Sequence, residues 1–264
     1  MIIIKVGGGR SINWDYLAED LSTIQEKFIV VHGANAWMKD ISEKLGVAEK
    51  IITSPSGHIS RYTDSQTMEI LTMVYSGLVN KKIVACFQKH GINAVGLSGA
   101  DGKLWLARKK EAILAKIGTK TKLVTDSLTG KVEKVNTDLI KILLKGNFTP
   151  VVTIPAITKD GELVNVDNDR AIPVMAKDLE VKTLVFLFEA SGLLQKSDDP
   201  ASKIDRINKE ELEKYIEISE GRMKKKLLGV KEAFAAGVKS VFFGDGRIKN
   251  PLSSAIKGKG TVIN

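Results

Sequence analysis

A single cysteine, Cys86, in 264 residues excludes an internal disulfide and with it the small disulfide-stapled domains. Set between apolar neighbours, Cys86 reads as a core residue. The three histidines, His32, His58 and His90, are scattered and show no zinc-ligand spacing, so no metal centre is expected. Aromatic residues make up only 6%, and no RNP-like or helix-turn-helix pattern accompanies the basic residues, which argues against a nucleic-acid partner. No apolar run approaches the ~20 residues that cross a bilayer, and Met1 leads into Ile2-Ile3-Ile4-Lys5-Val6 rather than a signal peptide. The expectation is a cytoplasmic protein without membrane attachment. No proline- or glycine-rich linker divides the chain.

What is present is a hydrophobic content of 43%, enough for a real core, with charges of both signs mixed along the sequence. The formal net charge is +9. That excess is compatible with a lysine-rich surface, with anionic small substrates or with an acidic macromolecular partner. The lysines are spread out, which leaves an acidic partner open.

Short apolar runs alternate with segments of helical spacing. Residues 2–6 and 28–31 predict strands around a helix at 14–27, a βαβ opening. A helix over 35–45, an irregular polar stretch at 52–61 and a long helix over 63–88 with a break near Asn80 follow. The spacing then predicts a hairpin within 122–135, a helix at 137–144, a strand at 149–154, a turn at Asp160-Gly161 and a helix over 168–179. A strand at 183–188, a helix at 223–236 and a strand at 240–243 complete the pattern. The alternation implies a three-layer αβα sandwich with a mostly parallel central sheet. Ligands should gather beyond the carboxyl ends of the strands. The helix after Asp169 is the natural bridge between an N-terminal lobe, 1–172, and a C-terminal lobe, 173–264.

Lys5-Val6-Gly7-Gly8-Gly9 falls where the first strand should end. Consecutive glycines there let backbone N–H groups approach phosphate oxygens. The tract is neither a Walker A loop nor a GxGxxG dinucleotide site, and alone it equally fits a structural turn. The second strand ends similarly, at Val31-His32-Gly33-Ala34-Asn35, and the pairing of two such turns is more informative than either. His32 is better read as a packed histidine than as a catalyst. Asn165-Val166-Asp167-Asn168-Asp169 can cap a helix, bind a ligand amine or orient lysines. Gly221-Arg222-Met223-Lys224-Lys225-Lys226 starts another helix, with most of its charge on the surface. Gly244-Asp245-Gly246-Arg247 fits a nucleotide contact or a turn.

Taken in order, these pieces resemble the acetylglutamate kinase branch of the amino acid kinase family through nearly the whole chain. The carrying residues are Lys5-Val6-Gly7-Gly8, Val31-His32-Gly33, Leu78-Val79-Asn80-Lys81, Ala94 through Gly99, Asn165 through Asp169, and Gly221-x-Met223-x-x-Lys226. The resemblance implies a substrate-holding N-terminal half, an ATP-holding C-terminal half and phosphoryl transfer to a carboxylate between them. It implies catalytic roles for Lys5, Lys226 and Asp169, with Asp169 holding the two lysines. It further implies phosphate contacts from Gly7 and Gly8, substrate contacts from Gly33, Ala34, Arg61 and Asn165, and Mg²⁺ bridging the ATP phosphates with few protein ligands. Three departures bear on local geometry: Ala34-Asn35 where glycines are common, Arg222 in place of a glycine, and Phe188-Glu189 in place of Thr-Asp.

Residues 54–64, from Ser54 through Arg61 to Asp64, resemble the version in family members that act on amino acids carried by LysW, a small acidic protein. In that branch the kinase phosphorylates the distal carboxylate of carrier-bound 2-aminoadipate or glutamate, in lysine and arginine biosynthesis. A +9 chain suits an acidic partner. The two substrates differ by one methylene, worth only ~1–3 kcal/mol, so acceptance of both is expected. Free N-acetylglutamate is the alternative substrate, and a nonenzymatic nucleotide- or nucleic-acid-binding protein on the same fold is the alternative class. Because the first strand begins at Ile2, a homodimer without the N-terminal helical extension of arginine-regulated hexamers is expected.

Overall fold

The computed structural model describes residues 1–53, 59–117, 120–196 and 199–264. The first half of the carrier-type segment, including His58, lies outside the described residues. Eight strands form one sheet: β1 (Ile2–Val6), β2 (Phe28–His32), β3 (Ala94–Ser98), β4 (Thr149–Thr153), β5 (Thr183–Phe188), β6 (Arg206–Ile207), β7 (Ser240–Asp245) and β8 (Thr261–Ile263). Their order is β6-β8-β7-β5-β1-β2-β4-β3. Every pairing is parallel except β7 with β8. The central strands β1 and β2 are buried at every position. Near-continuous apolar runs of this kind, interrupted only by Lys5 and ending in His32, belong to a sheet covered on both faces.

The covering helices are α1 (Trp14–Ser22), α2 (Asn35–Lys44), α3 (Ser65–Lys89), α4 (Thr137–Lys145), α5 (Asn168–Asp178), α6 (Leu212–Ile218), α7 (Gly221–Ala235) and α8 (Pro251–Ile256). The result is the expected α/β sandwich. The expected lobe boundary falls inside α5, while the sheet runs on across it through the β1–β5 pairing.

Helix α3 departs from expectation in two ways. It does not break at Asn80; a π-helical stretch, Met73–Val79, ends there and the helix continues. The Asn80 amide donates to Val151 O at 2.9 Å, so it does not compete for the helix's own backbone. At 25 residues, α3 is also long and apolar enough to cross a membrane by length and composition. Its Leu71, Val74, Ile83 and Phe87 are buried, and it packs on β3 and β4, which makes it a helix of the protein core.

Two further expectations are corrected at the sheet's periphery. Residues 122–135 do not form one hairpin: Lys120–Val124 pairs with Ile113–Ile117, whereas Gly130–Val135 pairs with Trp105–Lys109. Thr129-Gly130 is bound to Asn165 instead of closing a turn, because Gly130 N donates to Asn165 O at 2.9 Å. The stretch read as irregular contains an antiparallel pair, Ile51–Thr53 with Ile59–Arg61, which places Arg61 opposite Ile51. Cys86 is half-buried rather than enclosed, beside Asp15 and His90.

Candidate active site

Registration of β1 with β2 pairs Val6 with His32, so the two strands end level and both glycine turns leave the sheet at one place. Gly33 N donates to Val6 O at 3.0 Å and Ala36 N to Gly8 O at 3.0 Å, lacing the turns together. The approach is close enough that a Cβ on Gly8 would stand 2.5 Å from the backbone nitrogens of both Ala34 and Asn35. Ala34 itself is fully buried, so its contribution at this place is backbone.

Lys5 is the penultimate residue of β1, and its buried Nζ lies 3.3 Å from Asp169 Oδ1. Lys226, one turn into α7, puts its Nζ 2.7 Å from Asp169 Oδ2. One carboxylate therefore holds two ammonium groups from opposite ends of the chain. The α5–α7 contact behind this is tight: a Cβ on Gly229 would sit 2.5 Å from Asp169 O. Burial pushes the Asp169 carboxyl upward, but Lys226 and Lys5 outweigh that and hold it well below the usual range. Burial likewise dominates at Lys5 and lowers its pKa, against the pull of Asp169. The cluster carries a net positive charge beside a turn lined by backbone N–H groups, a chemistry suited to phosphoryl oxygens.

The residues before Asp169 divide the tasks that were left open. Asp167 caps α5, its Oδ1 accepting from Asp169 N at 2.9 Å. Asn168 Nδ2 donates to His32 O at 2.9 Å. Asn165 Nδ2 donates to Thr63 Oγ1 at 3.0 Å, and Thr63 in turn donates to Arg61 O at 3.2 Å. Arg61 thus belongs to the same polar chain as Asn165, although its guanidinium pairs with Glu49 and not with Asp169. Neither Glu49 nor Tyr75, whose buried hydroxyl donates to Asn35 Oδ1 at 2.7 Å, carried a signal in the sequence.

His32 is fully buried, as a structural histidine should be. Its Nδ1 faces Gly33 O at 3.3 Å and its Nε2 faces the Asn80 amide nitrogen at 3.1 Å. The first contact requires N–H on Nδ1 and the second a lone pair on Nε2, which is the neutral ring. Burial accordingly lowers its pKa from 6.5 to about 3. The unfolded chain binds this proton first as pH falls, so His32 destabilises the fold progressively below 6.5 and has no effect above it. Denaturation at pH 5 against pH 7 should show about 2 kcal/mol lost through this residue, and His32→Asn should remove that part of the difference.

The departures at Phe188-Glu189 have local uses. Ser11 N and Oγ both donate to Glu189 Oε1, at 3.0 and 2.5 Å, tying down the loop that follows the glycines. The Phe188 ring lies 5.9 Å from Lys226 Nζ. Arg222 lies at the start of α7, where Gly221 takes a positive φ of 53°. In the turn left unassigned, Asp245 is occupied by Arg247, with Nε at 2.8 Å and Nη2 at 2.7 Å. Beyond Asp169, the exposed Lys110 has its pKa lowered by partial desolvation and then by Arg170, Lys225 and Lys131, opposed by Asp167. Positive charge is concentrated there.

A mostly parallel sheet covered by helices, with glycine turns and a lysine–aspartate–lysine cluster at its strand ends, defines an α/β protein whose site chemistry is suited to a polyanion. Residues 1–245 match the amino acid kinase family, and the chain belongs to it. It is 40% identical to a [LysW]-aminoadipate kinase of Thermus thermophilus over the whole of both chains. It is 44% identical to one of Deinococcus radiodurans, covering all of this chain and 91% of the relative. A putative [LysW]-aminoadipate/[LysW]-glutamate kinase of Nitrosopumilus maritimus is 39% identical over 97% of this chain and 96% of the relative. Among solved structures, smu.665 from Streptococcus mutans superposes with a TM-score of 0.76 at 19% identity, covering 100% of this chain and 98% of that one. An isopentenyl phosphate kinase gives 0.63 at 15% identity with full coverage of both. At such identities these structures speak for the fold alone.

Proposed function

We propose that this chain transfers the γ-phosphoryl group of ATP to the side-chain carboxylate of 2-aminoadipate, glutamate or both, carried by an acidic LysW-type protein, as a step of lysine and arginine biosynthesis. The observation that carries the reading is the Lys5–Asp169–Lys226 cluster beside two interlaced glycine turns, in a chain whose full-length relatives bear LysW-kinase names.

The nucleophile is a carboxylate, ionised near neutral pH, so the protein needs no general base. Its work is alignment and charge stabilisation. Lys5 and Lys226 approach the transferred group from two sides, and Asp169 fixes the separation between them. Gly8 offers an N–H donor on one turn and Ala34 the facing backbone, while the N–H groups of Gly7 and Gly33 are given to Leu187 O and Val6 O, so these two glycines serve by letting the turns approach closely. The donor set around Asp169 is cationic, which fits metal-laden phosphates better than a bare metal ion. Mg²⁺, brought in on ATP, would offset charge on the phosphate oxygens. Arg61 grips the carboxylate at the amino-acid end, with Asn165 beside it. The concentration of charge around Lys110, Arg170 and Lys131 supports an acidic macromolecular partner. In this reading residues 1–172 bind the carboxylate substrate and form the contact of a homodimer, residues 173–264 bind ATP, and the enzyme works in the cytoplasm.

The test is ATP-dependent acyl phosphate formation trapped with hydroxylamine, run side by side with LysW-linked aminoadipate, LysW-linked glutamate and free N-acetylglutamate. Turnover confined to the carrier-linked substrates is the expected result. Turnover with free N-acetylglutamate alone would sink the carrier reading. In the same assay Arg61→Ala should raise KM by about 10²-fold, the worth of a bidentate charge-assisted pair, with a smaller change in kcat.

A further inference from the structure

Away from the lysine cluster, Asp15 on α1 meets Cys86 and His90 on the end of α3. A carboxylate oxygen, the thiol sulfur and a ring nitrogen lie within 4.8 Å of one another, the one such His/Cys/Asp/Glu group among the described residues. His90 Nε2 is 3.2 Å from Asp15 Oδ1, and Lys89 Nζ reaches the same oxygen at 3.0 Å. Local structure brings the three together. Cys86 and His90 are four residues apart, hence neighbours on one side of the chain as it leaves the helix. Across from them α1 is seated by Trp14, whose ring packs on Phe87 at 6.3 Å.

Ligand atoms about 2.0–2.3 Å from a tetrahedral zinc lie roughly 3.3–3.8 Å from each other, so these three close on an ion through side-chain adjustment alone. The donors are one sulfur, one imidazole nitrogen and one carboxylate oxygen. That mixture suits a borderline ion of the zinc class and not magnesium or calcium, which take oxygen. We propose that Asp15, Cys86 and His90 form a surface site for a zinc-class divalent ion, with the fourth position open to water or a small external ligand. Binding forms a sulfur–metal bond as the Cys86 proton leaves to solvent, and neutral His90 coordinates through Nε2. Lys89, whose side chain is 71% exposed, gives up only a surface ion pair on moving aside. The ion would brace α1, which follows the Gly7-Gly8 turn, against α3, which carries Tyr75 and Asn80.

Because Cys86 is the only cysteine, thiol chemistry reports on this site and no other. Tag-free full-length protein would be titrated with Co²⁺ and then Zn²⁺. The expected result is a thiolate-to-cobalt charge-transfer band that saturates at one equivalent and is displaced by Zn²⁺. The band should vanish in Cys86→Ser and need higher cobalt in Asp15→Asn and His90→Ala. Zn²⁺ should also slow modification of Cys86 by a disulfide reagent. A protein that gives no such band, or whose Cys86 reacts at the same rate with and without Zn²⁺, would overturn the proposal. So would Zn²⁺ binding of unchanged affinity in Cys86→Ser. None of these readouts depends on the kinase substrate, so the site stands or falls separately from the proposed reaction.

Discussion

Replacing Asp169 by asparagine is expected to destabilise the protein by about 3–5 kcal/mol, because it leaves two ammonium groups facing each other with their shared counter-charge gone. The side chains of Lys5, Asp169 and Lys226 are only 7%, 12% and 13% exposed, so solvent screens little of the loss. Asp169 has a depressed pKa in the fold, so its stabilisation is full above the unfolded value near 3.9 and fades as pH falls through the folded one. Denaturation curves for wild type and Asp169→Asn should therefore differ most at neutral pH and converge in strong acid. A catalytic signature accompanies this. Burial already lowers the Lys5 pKa against the pull of Asp169, and without that pull it falls further. Turnover by the variant should then decline at a lower pH than wild type, as Lys5 loses its charge. A variant less stable but with the wild-type pH profile would deny Asp169 its role in holding Lys5 charged. As a comparison, Lys226→Ala should lower kcat by about 10²–10³-fold while KM moves little, the pattern of a group that acts on the transition state.

How much of this was legible beforehand varied with the range of the forces involved. The αβ alternation and the central strands could be read because short, mostly apolar runs such as Ile2–Val6, broken only by Lys5, mark strands buried on both faces. Strands at Trp105–Lys109 and Ile113–Ile117 went unread, and Lys120–Val124 was assigned to the wrong partner. Their side chains alternate weakly, and pairing with residues distant in sequence decides their register. Asp169 could be placed near the lysines only through family likeness, since nothing local ties residue 169 to residues 5 and 226. Its neighbours were ambiguous because Asp167, Asn168 and Asp169 all suit a helix start, and the fold gives each a different partner. Gly229 offered a signal that went unused: a glycine inside a helix costs stability, and here it admits the α5 backbone that brings Asp169 to Lys226. Glu49 had no signal at all, being one acidic residue among 31 acidic groups until the pairing of Ile51 with Arg61 brings it to the guanidinium.

Gly8→Ala carries the second large expected effect, and it separates geometry from charge because it alters no titratable group. The added methyl would stand 2.5 Å from Ala34 N and Asn35 N and 2.8 Å from Gly33 C. These are backbone atoms of the facing turn, which no rotamer change can clear. The two turns must move apart, and Ala36 N, which donates to Gly8 O at 3.0 Å, moves with them. A displacement of about 1 Å at groups that position a reacting phosphoryl is enough to cost roughly 10²-fold in rate. The expected outcome is a fall of that order in kcat/KM with ATP and carrier-linked substrate, with the Lys5–Asp169–Lys226 pairing and its acid sensitivity intact. Near-normal turnover in Gly8→Ala would mean that the interlaced turns are only a way of ending two adjacent strands, and that the phosphoryl oxygens are met by the lysines without help from the backbone.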